Sequence, residues 1–322
     1  MAEAAAIDPA TKATFRLGDY APTYGALAAL VLLLLLNIAF TPNFAAYDNF
    51  RNILVQVTPT MLVAIGMTFV IATGGIDLSV GSVMAIASAI GAVSLDYGAF
   101  TAVGIALVVA GAIGTFNGFL ISAFKIQPII ITLALLISGR GIAQVISSGG
   151  QVIPFTDPGF EFLGQGYLLG APVQVILLVV VIAVAVFLLR STIFGRYVIA
   201  VGGNEEAARL SGIRVNRAKI TVYAISGLLA GLAGLIYTAR LGASDASKVG
   251  DGIELDAIAA TVVGGTPLTG GRATIVGTVI GALIMIVITT SFNMNNLKFP
   301  YSLVIKAAII LLAVYIQRPK LS

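Results

Sequence analysis

A carboxylate and a hydroxyl lie close together in an otherwise apolar part of the chain, within the stretch Gly74-Gly75-Ile76-Asp77-Leu78-Ser79. A charged side chain in such surroundings is costly, so Asp77 requires a specific role. One hypothesis is that Asp77 and Ser79 exchange hydrogen bonds with hydroxyl groups of a polar solute, or fix a broken helix. The alternative is that Asp77 caps the N-terminus of a helix that starts near Leu78.

The other candidates for a solute pathway are polar or aromatic side chains within or beside apolar runs: Phe69, Asn117, Gln144 and Asn293. Each is more often a packing residue or an interhelical hydrogen-bonding residue. The sequence has no cysteine and no histidine, which removes thiol chemistry and the commonest metal ligand and general base. No acids, histidines or thiols form a catalytic set. We therefore predict no catalytic residue, no metal site and no cofactor of its own, and a membrane-embedded enzyme is the least favoured class.

The composition is that of a membrane protein. Apolar residues make up 58% and charged residues 10% of the 322 residues, and the mean hydropathy is +1.04, which excludes a water-soluble core. A bilayer-crossing helix needs roughly 20 apolar residues. Ten apolar runs are candidates for such spans: 22–40, 52–73, 79–95, 99–124, 126–147, 172–189, 220–239, 255–264, 273–292 and 300–316. We predict an all-α, polytopic membrane helical bundle of about ten transmembrane helices.

The predicted bundle forms one transmembrane domain at residues 21–317, with cytoplasmic tails at 1–20 and 318–322. Its eighth run either spans the membrane or is re-entrant, because Gly264-Gly265 ends it after about half the length of a span. If all ten runs cross and the N-terminus is inside, the inner loops and tails hold twelve of the eighteen Lys and Arg residues, and the outer loops hold four. This asymmetry predicts that both termini are cytoplasmic. It also accounts for the net charge of +4 without nucleic-acid binding.

A few charged residues lie inside or at the ends of these apolar runs. Arg140 lies between Gly139 and Gly141, which favours a structural anchor to a carbonyl or carboxylate over contact with a solute. Lys306 is close enough to the end of the last run that we expect it to snorkel toward the membrane interface. Asp256, together with Glu254, is expected to cap the start of the eighth segment.

The chain contains an internal repeat. The stretch from Gly74-Gly75 to Ala92 recurs 190 positions later, from Gly264-Gly265 to Ala282, with seven matching positions and no gap. This pattern predicts two related halves whose broken helices meet near a solute pathway. The alternative is a chance similarity between glycine-rich apolar segments. Whether the halves are parallel or inverted depends on the eighth segment.

The basic loop 190–219 has the pattern of a short surface helix. Asn204 is a suitable N-cap, two glutamates complement the positive N-terminus, two alanines favour helix, and Gly212 is a suitable C-cap. Basic and apolar side chains on this helix could insert into a groove of a cytoplasmic partner and transmit a push. The candidate residues are Gly203, Asn204, Glu205, Glu206, Ala207, Ala208, Arg209, Leu210, Gly212 and Ile213. The alternative is an ordinary positively charged inner loop with one helical turn.

Residues Glu206-Ala207-Ala208, followed after three residues by Gly212, resemble the EAA loop of binding-protein-dependent ABC permeases, although the Leu-Pro that often closes the longer motif is absent. A wider resemblance, from about residue 40 to 316, is to the ribose, galactoside and galactofuranose branch of sugar permeases. It is carried by Gly66-Met67-Thr68-Phe69-Val70-Ile71, Gly74 to Gly81, Gly202-Gly203-Asn204 and Glu254-Leu255-Asp256-Ala257-Ile258-Ala259-Ala260. Lys125-Ile126-Gln127-Pro128 and Gly139 to Gln144 look similar to galactofuranose-type permeases.

This resemblance implies an inner-membrane permease that imports a monosaccharide by alternating access. It also implies three partners: a second permease chain, two cytoplasmic ATPase subunits and a periplasmic sugar-binding protein. The chain lacks a Gly-x-x-x-x-Gly-Lys-Ser/Thr loop, so ATP and its Mg²⁺ are expected on a partner subunit. The alternative function is a secondary sugar transporter or a facilitative channel. Against it, the spans show no cluster suited to coupling ions.

Overall fold

The computed structural model describes residues 21–317, and within this range the chain is helical with four very short strands. The helices are α1 (Ala21–Phe40), α2 (Tyr47–Ala72), α3 (Val80–Val93), α4 (Ala99–Ala123), α5 (Pro128–Ile146), α6 (Pro158–Gln165), α7 (Val173–Ser191), α8 (Ile193–Gly203), α9 (Glu205–Leu210), α10 (Val215–Leu241), α11 (Ile253–Val263), α12 (Ile275–Met294) and α13 (Phe299–Gln317). A 3₁₀ turn covers Leu95–Tyr97. The strands are β1 (Ile153–Pro154), β2 (Tyr167–Leu168), β3 (Ala171–Pro172) and β4 (Ala243–Ser244), paired β1 with β4 and β2 with β3, both antiparallel.

All ten predicted apolar segments are helices, which confirms the all-α polytopic bundle. By length and composition, seven helices of the described range are able to cross a membrane: α1, α2, α4, α5, α7, α10 and α12. The helices α3 and α11 are shorter, with 14 and 11 residues. Sequence inspection missed α6 in the loop 147–171, and it missed α8 within the basic loop 190–219.

The centre of the bundle is α10, which packs against α4, α2 and α3. It runs antiparallel to α4, because Gly118 lies against Ile220 and Gly111 lies against Leu228. It runs parallel to α3, because Gly75 lies beside Tyr223 and the hydroxyl of Ser88 accepts a hydrogen bond from that of Thr238. Small residues at these crossings allow the helices to approach closely.

The two copies of the repeat run in the same direction. Helix α11 is antiparallel to α12, because Gly264 contacts Gly277 and Ala260 contacts Gly281. Helix α12 is in turn antiparallel to α2. The Gly271 N–H donates to the Ala72 carbonyl at 3.0 Å, and the Thr68 and Thr278 hydroxyls, one turn or more further along each helix, are 2.7 Å apart. Helices α2 and α11 are therefore parallel, and the halves are parallel repeats.

The eighth segment is a half-length helix preceded by an irregular stretch. The Arg140 guanidinium on α5 donates hydrogen bonds to the Ala246 and Val249 carbonyls at 3.0 and 2.6 Å, and Gly250 touches the backbone of Gly81 on α3. Irregular backbone at membrane depth is tolerated where protein surrounds it and satisfies its polar groups. The prediction that Arg140 is a structural anchor is confirmed, and its partners are carbonyls.

The prediction for Lys306 is wrong. Its side chain does not snorkel. It is buried on α13 and forms an ion pair with Asp256 of α11, with Nζ 3.0 Å from both carboxylate oxygens. Sequence inspection treated the two residues separately, although each satisfies the charge of the other. Asp256 lies in the first turn of α11, whose N-cap is Gly252, and its carboxylate accepts hydrogen bonds from Lys306.

Candidate pathway residues and candidate coupling surface

Asp77 is the centre of a buried polar cluster that joins three helices. Its Oδ1 accepts hydrogen bonds from the Ser79 N–H at 3.0 Å and the Ser79 hydroxyl at 2.5 Å, and its Oδ2 accepts one from the Ser226 hydroxyl of α10 at 2.8 Å. The Asn117 amide of α4 donates to the Ser79 hydroxyl at 3.1 Å. We call these four residues the Asp77 cluster. All four are buried.

This geometry agrees with a structural role for Asp77. Helix α3 begins at Val80 with Ser79 as its N-cap, and the Asp77 carboxylate accepts a hydrogen bond from the Ser79 N–H, which is a capping-type bond at the start of this helix. Both carboxylate oxygens bond protein groups, and they hold the break between α2 and α3 against α10, which confirms that Asp77 fixes the broken helix. The buried Tyr223 hydroxyl has no hydrogen-bond partner among the described residues and lies beside Gly75.

The other pathway candidates are placed apart from the Asp77 cluster. Phe69 is buried with its ring centroid 6.0 Å from that of Phe194 on α8. The Gln144 amide is 3.4 Å from the Ser247 hydroxyl in the irregular stretch before α11. Asn293 is exposed near the end of α12. The structure thus brings together Asp77, Ser79 and Asn117, and it does not gather all six candidates into one site.

Sequence reasoning missed Ser226 and Tyr223, although they complete this region. Neither residue differs from other small polar or aromatic side chains of a membrane helix. Ser226 meets Asp77 across 149 positions of sequence. No local pattern signals such a pair, because the contact depends on how α10 packs against the α2–α3 break.

Replacing Asp77 by alanine is expected to destabilise the folded chain by about 2–3 kcal/mol, because buried Ser79 and Ser226 hydroxyls lose their acceptor. Asp77→Asn retains one carbonyl oxygen and is expected to cost less. The midpoint of thermal unfolding in detergent measures both effects. Ser226→Ala serves as a comparison, since it removes one donor of the cluster. Equal midpoints for Asp77→Ala and the wild type would contradict the assigned role.

The coupling candidates form the short helix predicted for them. The Asn204 side chain accepts a hydrogen bond from the Ala207 N–H at 2.9 Å, which confirms the N-cap. Gly212 has a φ of +82°, and the Ile213 N–H donates to the Ala208 carbonyl, which is the geometry of a glycine-terminated helix. Gly203 is not part of α9, since it is the last residue of α8.

The residues of α9 divide between an inner and an outer face. Ala208 packs with Val201, Val215 and Ala218 in a small apolar cluster, and Ile213 packs against it. Leu210 points away and is 82% exposed. Of the apolar residues proposed to insert into a partner, Leu210 is therefore accessible, and Ile213 anchors the helix to the bundle.

Ion pairs hold α9 to the start of α10. The Glu205 carboxylate is 2.6 Å from the Lys219 ammonium of α10 and 3.1 Å from the Arg209 guanidinium. Partial burial acts to raise the pKa of Glu205, but the hydrogen bond from Lys219 and the charges of Lys219 and Arg209 outweigh it. The pKa of Glu205 is therefore below its ordinary value of 4.5.

Acidification is expected to loosen α9. Because the pKa of Glu205 is lowered in the folded chain, its stabilising contribution is present above pH 4.5 and is lost as the pH falls through the lower, folded-state pKa. A spin label on a Ser211→Cys variant measures this effect. The mobility of the label should increase as the pH falls below 4.5 and through the folded-state pKa of Glu205. In a Lys219→Gln background the transition should move toward the ordinary pKa of the carboxyl. A transition unmoved by Lys219→Gln would contradict the assigned pair.

The sequence is similar to a family of transport permease components and to named sugar permeases. The family described as "Branched-chain amino acid transport system / permease component" matches residues 49–314. The ribose import permease protein RbsC of Escherichia coli (strain K12) is 43% identical over 299 residues, which are 91% of this chain and 93% of that protein. RbsC of Bacillus subtilis (strain 168) is 42% identical, with 92% of each chain covered. The galactofuranose transporter permease protein YtfT of Escherichia coli (strain K12) is 39% identical, with 90% and 88% covered.

No solved structure matches the chain. The family match covers most of the sequence, and relatives above the 40% level extend over almost its full length. The chain belongs to this family of transport-system permease components.

Proposed function

We propose that this chain is the transmembrane permease subunit of an ATP-binding-cassette importer that moves a monosaccharide into the cytoplasm. Ribose is the first candidate, because relatives named as ribose import permeases are 41–43% identical. Galactofuranose and related pentoses or hexoses come next, in line with relatives named for galactofuranose and L-arabinose. The chain supplies the membrane pathway and carries out no covalent chemistry.

The observation that carries the proposal is the position of α9. This helix is capped by Asn204, joined to α10 through Glu205 and Lys219, and presents Leu210 outward. A secondary transporter or channel has no evident need for such a stiff, outward-facing helix. In an ATP-driven importer, it is the element that a cytoplasmic ATPase subunit would push.

Three partners complete the proposed assembly. A second permease chain, identical or similar, completes the membrane unit, two ATPase subunits bind the faces that contain α9, and a periplasmic sugar-binding protein delivers the sugar. ATP and Mg²⁺ are bound by the ATPase subunits, and the permease has no cofactor. Nucleic acid is not a partner. The complex lies in the bacterial inner membrane with both termini of the permease in the cytoplasm, an orientation that the distribution of Lys and Arg supports.

The packing supports alternating access as the transport mechanism. ATP binding would draw the two ATPase subunits together and move the α9 helices with them. Helix α9 is packed against α8 and α10. The bundle would therefore change between inward-open and outward-open states by rigid-body movement of packed helices. The Asp77 cluster would keep the α2–α3 break attached to α10 during this change.

Reconstitution tests the proposal. The permease is placed in liposomes with its ATPase and binding-protein partners, and uptake of labelled ribose is measured with and without ATP. Uptake is expected only with ATP and all partners present. The control uses an ATPase subunit whose phosphate-binding lysine is replaced by alanine. Uptake by the permease alone, without ATP, would instead establish a secondary transporter or a channel.

A further inference from the structure

Both helix breaks of the internal repeat meet the last turn of α8, backbone against backbone. The Gly271 N–H of the α11–α12 break donates to the carbonyl of Ala72, the last residue of α2, at 3.0 Å. A Cβ built on Gly202 would overlap that carbonyl and would lie 2.5 Å from the Gly271 nitrogen. We call Ala72, Gly74, Gly202, Gly203, Gly270 and Gly271 the glycine junction.

The remaining contacts bring the backbones of the same segments together at further points. A Cβ on Gly270 would lie 2.8 Å from the Gly74 nitrogen and 3.1 Å from the Gly202 carbonyl oxygen, and a Cβ on Gly271 would lie 3.0 Å from the Gly203 Cα. Gly74, Gly270 and Gly271 also have φ values of +79°, +81° and +77°, which glycine adopts without strain. Three chain segments are thus in direct contact, with no side chain between them.

The glycine junction connects the two candidate sites described above. On one side, Gly203 directly precedes Asn204, the N-cap of α9. On the other, Gly74 lies three residues before Asp77, which bonds Ser226 of α10. Close-packed protein is stiff, so a displacement of α8 cannot be absorbed by side-chain rearrangement at this contact.

We propose that Gly202 is a positioning residue for transport. Through the glycine junction, it transmits the displacement of α9 to the α2–α3 break and the α11–α12 break at once, so that both halves of the repeat switch together. This proposal rests on the proposed ATP-driven function. It adds that one contact, made by one glycine of the inner loop, drives both broken helices.

The test compares Gly202→Ala with Gly104→Ala in the reconstituted complex. Each replacement adds one methyl group to a helix, and alanine favours helix over glycine. Gly104 lies on α4, outside the glycine junction, and no atom of the described residues lies within 4 Å of a Cβ on it. Gly202→Ala is expected to lower the number of sugars moved per ATP hydrolysed by at least about fivefold, while ATP hydrolysis continues. Gly104→Ala should retain the wild-type ratio.

A cross-link provides a second measurement. It tests whether the glycine junction moves as one body, even if Gly202→Ala is not produced in folded form. The chain has no cysteine, so the double variant Gly203→Cys, Gly271→Cys carries one defined thiol pair. If the junction moves as one body, oxidising this pair should leave transport at the level of the reduced double variant. The single Gly271→Cys variant controls for the strained conformation at that position.

Two results would overturn the proposal. One is an unchanged ratio of transport to ATP hydrolysis in Gly202→Ala. The other is loss of transport on oxidation of the double variant with recovery on reduction, which would show that the junction opens during the cycle. Failure of the proposed function itself would be seen separately, as wild-type uptake that does not depend on ATP.

Discussion

Replacing Lys306 by methionine is expected to destabilise the folded chain by about 2–3 kcal/mol, because the half-buried Asp256 is then left as an unpaired charge. The Lys306 side chain is 8% exposed and that of Asp256 is 34% exposed, and the ammonium nitrogen is 3.0 Å from the carboxylate. A charge at membrane depth has little water to replace its lost partner. The midpoint of unfolding in detergent, with denaturant or heat, measures the effect.

Two comparisons make this prediction specific to the buried pair. The double variant Lys306→Met, Asp256→Asn removes both charges and is expected to recover most of the lost stability. Arg51→Met breaks an exposed pair, in which Arg51 lies 3.3 Å from Asp48 with 36% and 77% of the side chains exposed. It should cost less than about 1 kcal/mol. If Lys306→Met cost no more than Arg51→Met, the pair would not stabilise the packing of α13 on α11.

Introducing aspartate at Leu210 is expected to reduce ATP-driven uptake and binding of the ATPase subunit by about tenfold or more, which is the effect of losing one well-buried interface residue. Leu210 is 82% exposed in the chain alone, so the change should leave the unfolding midpoint unaltered. An apolar side chain so exposed on a helix held by ion pairs gains most from burial in a partner.

A matched control for this substitution is Leu169→Asp. Leu169 is fully exposed and lies between β2 and β3, before the start of α7, at the opposite end of the bundle from α9. Because Leu169 is remote from α9, binding of the ATPase subunits should be unchanged by this substitution. Co-purification of the ATPase subunits with each permease variant measures binding, and it should be reduced for Leu210→Asp and normal for Leu169→Asp. Normal ATPase binding by Leu210→Asp would show that α9 is not the contact surface, whatever happens to transport.

Much of the bundle follows directly from local sequence. A span needs a continuous apolar run, and such runs placed helices close to their observed limits, for example 99–124 against Ala99–Ala123. Helix α9 was also predictable, because capping depends on residues within one turn of each other, here Asn204 and Ala207. By contrast, α8 was missed, since Gly195 and Arg196 interrupt a short apolar stretch in a basic loop.

The partners of the charged and small residues were decided by the tertiary structure. From the sequence, Lys306 was predicted to reach the membrane interface. In the structure, Asp256 of α11, which is 50 positions away in sequence, lies 3.0 Å from the Lys306 ammonium. Gly202 is an ordinary helical glycine in the sequence, and only the fold places it against Ala72 and Gly271. Sequence by itself determined which segments are apolar enough to cross a membrane and where they end, because those properties depend on neighbouring residues. Which polar groups meet, and which helices share a contact, depends on interhelical packing across distant positions, and that was visible only in the folded chain.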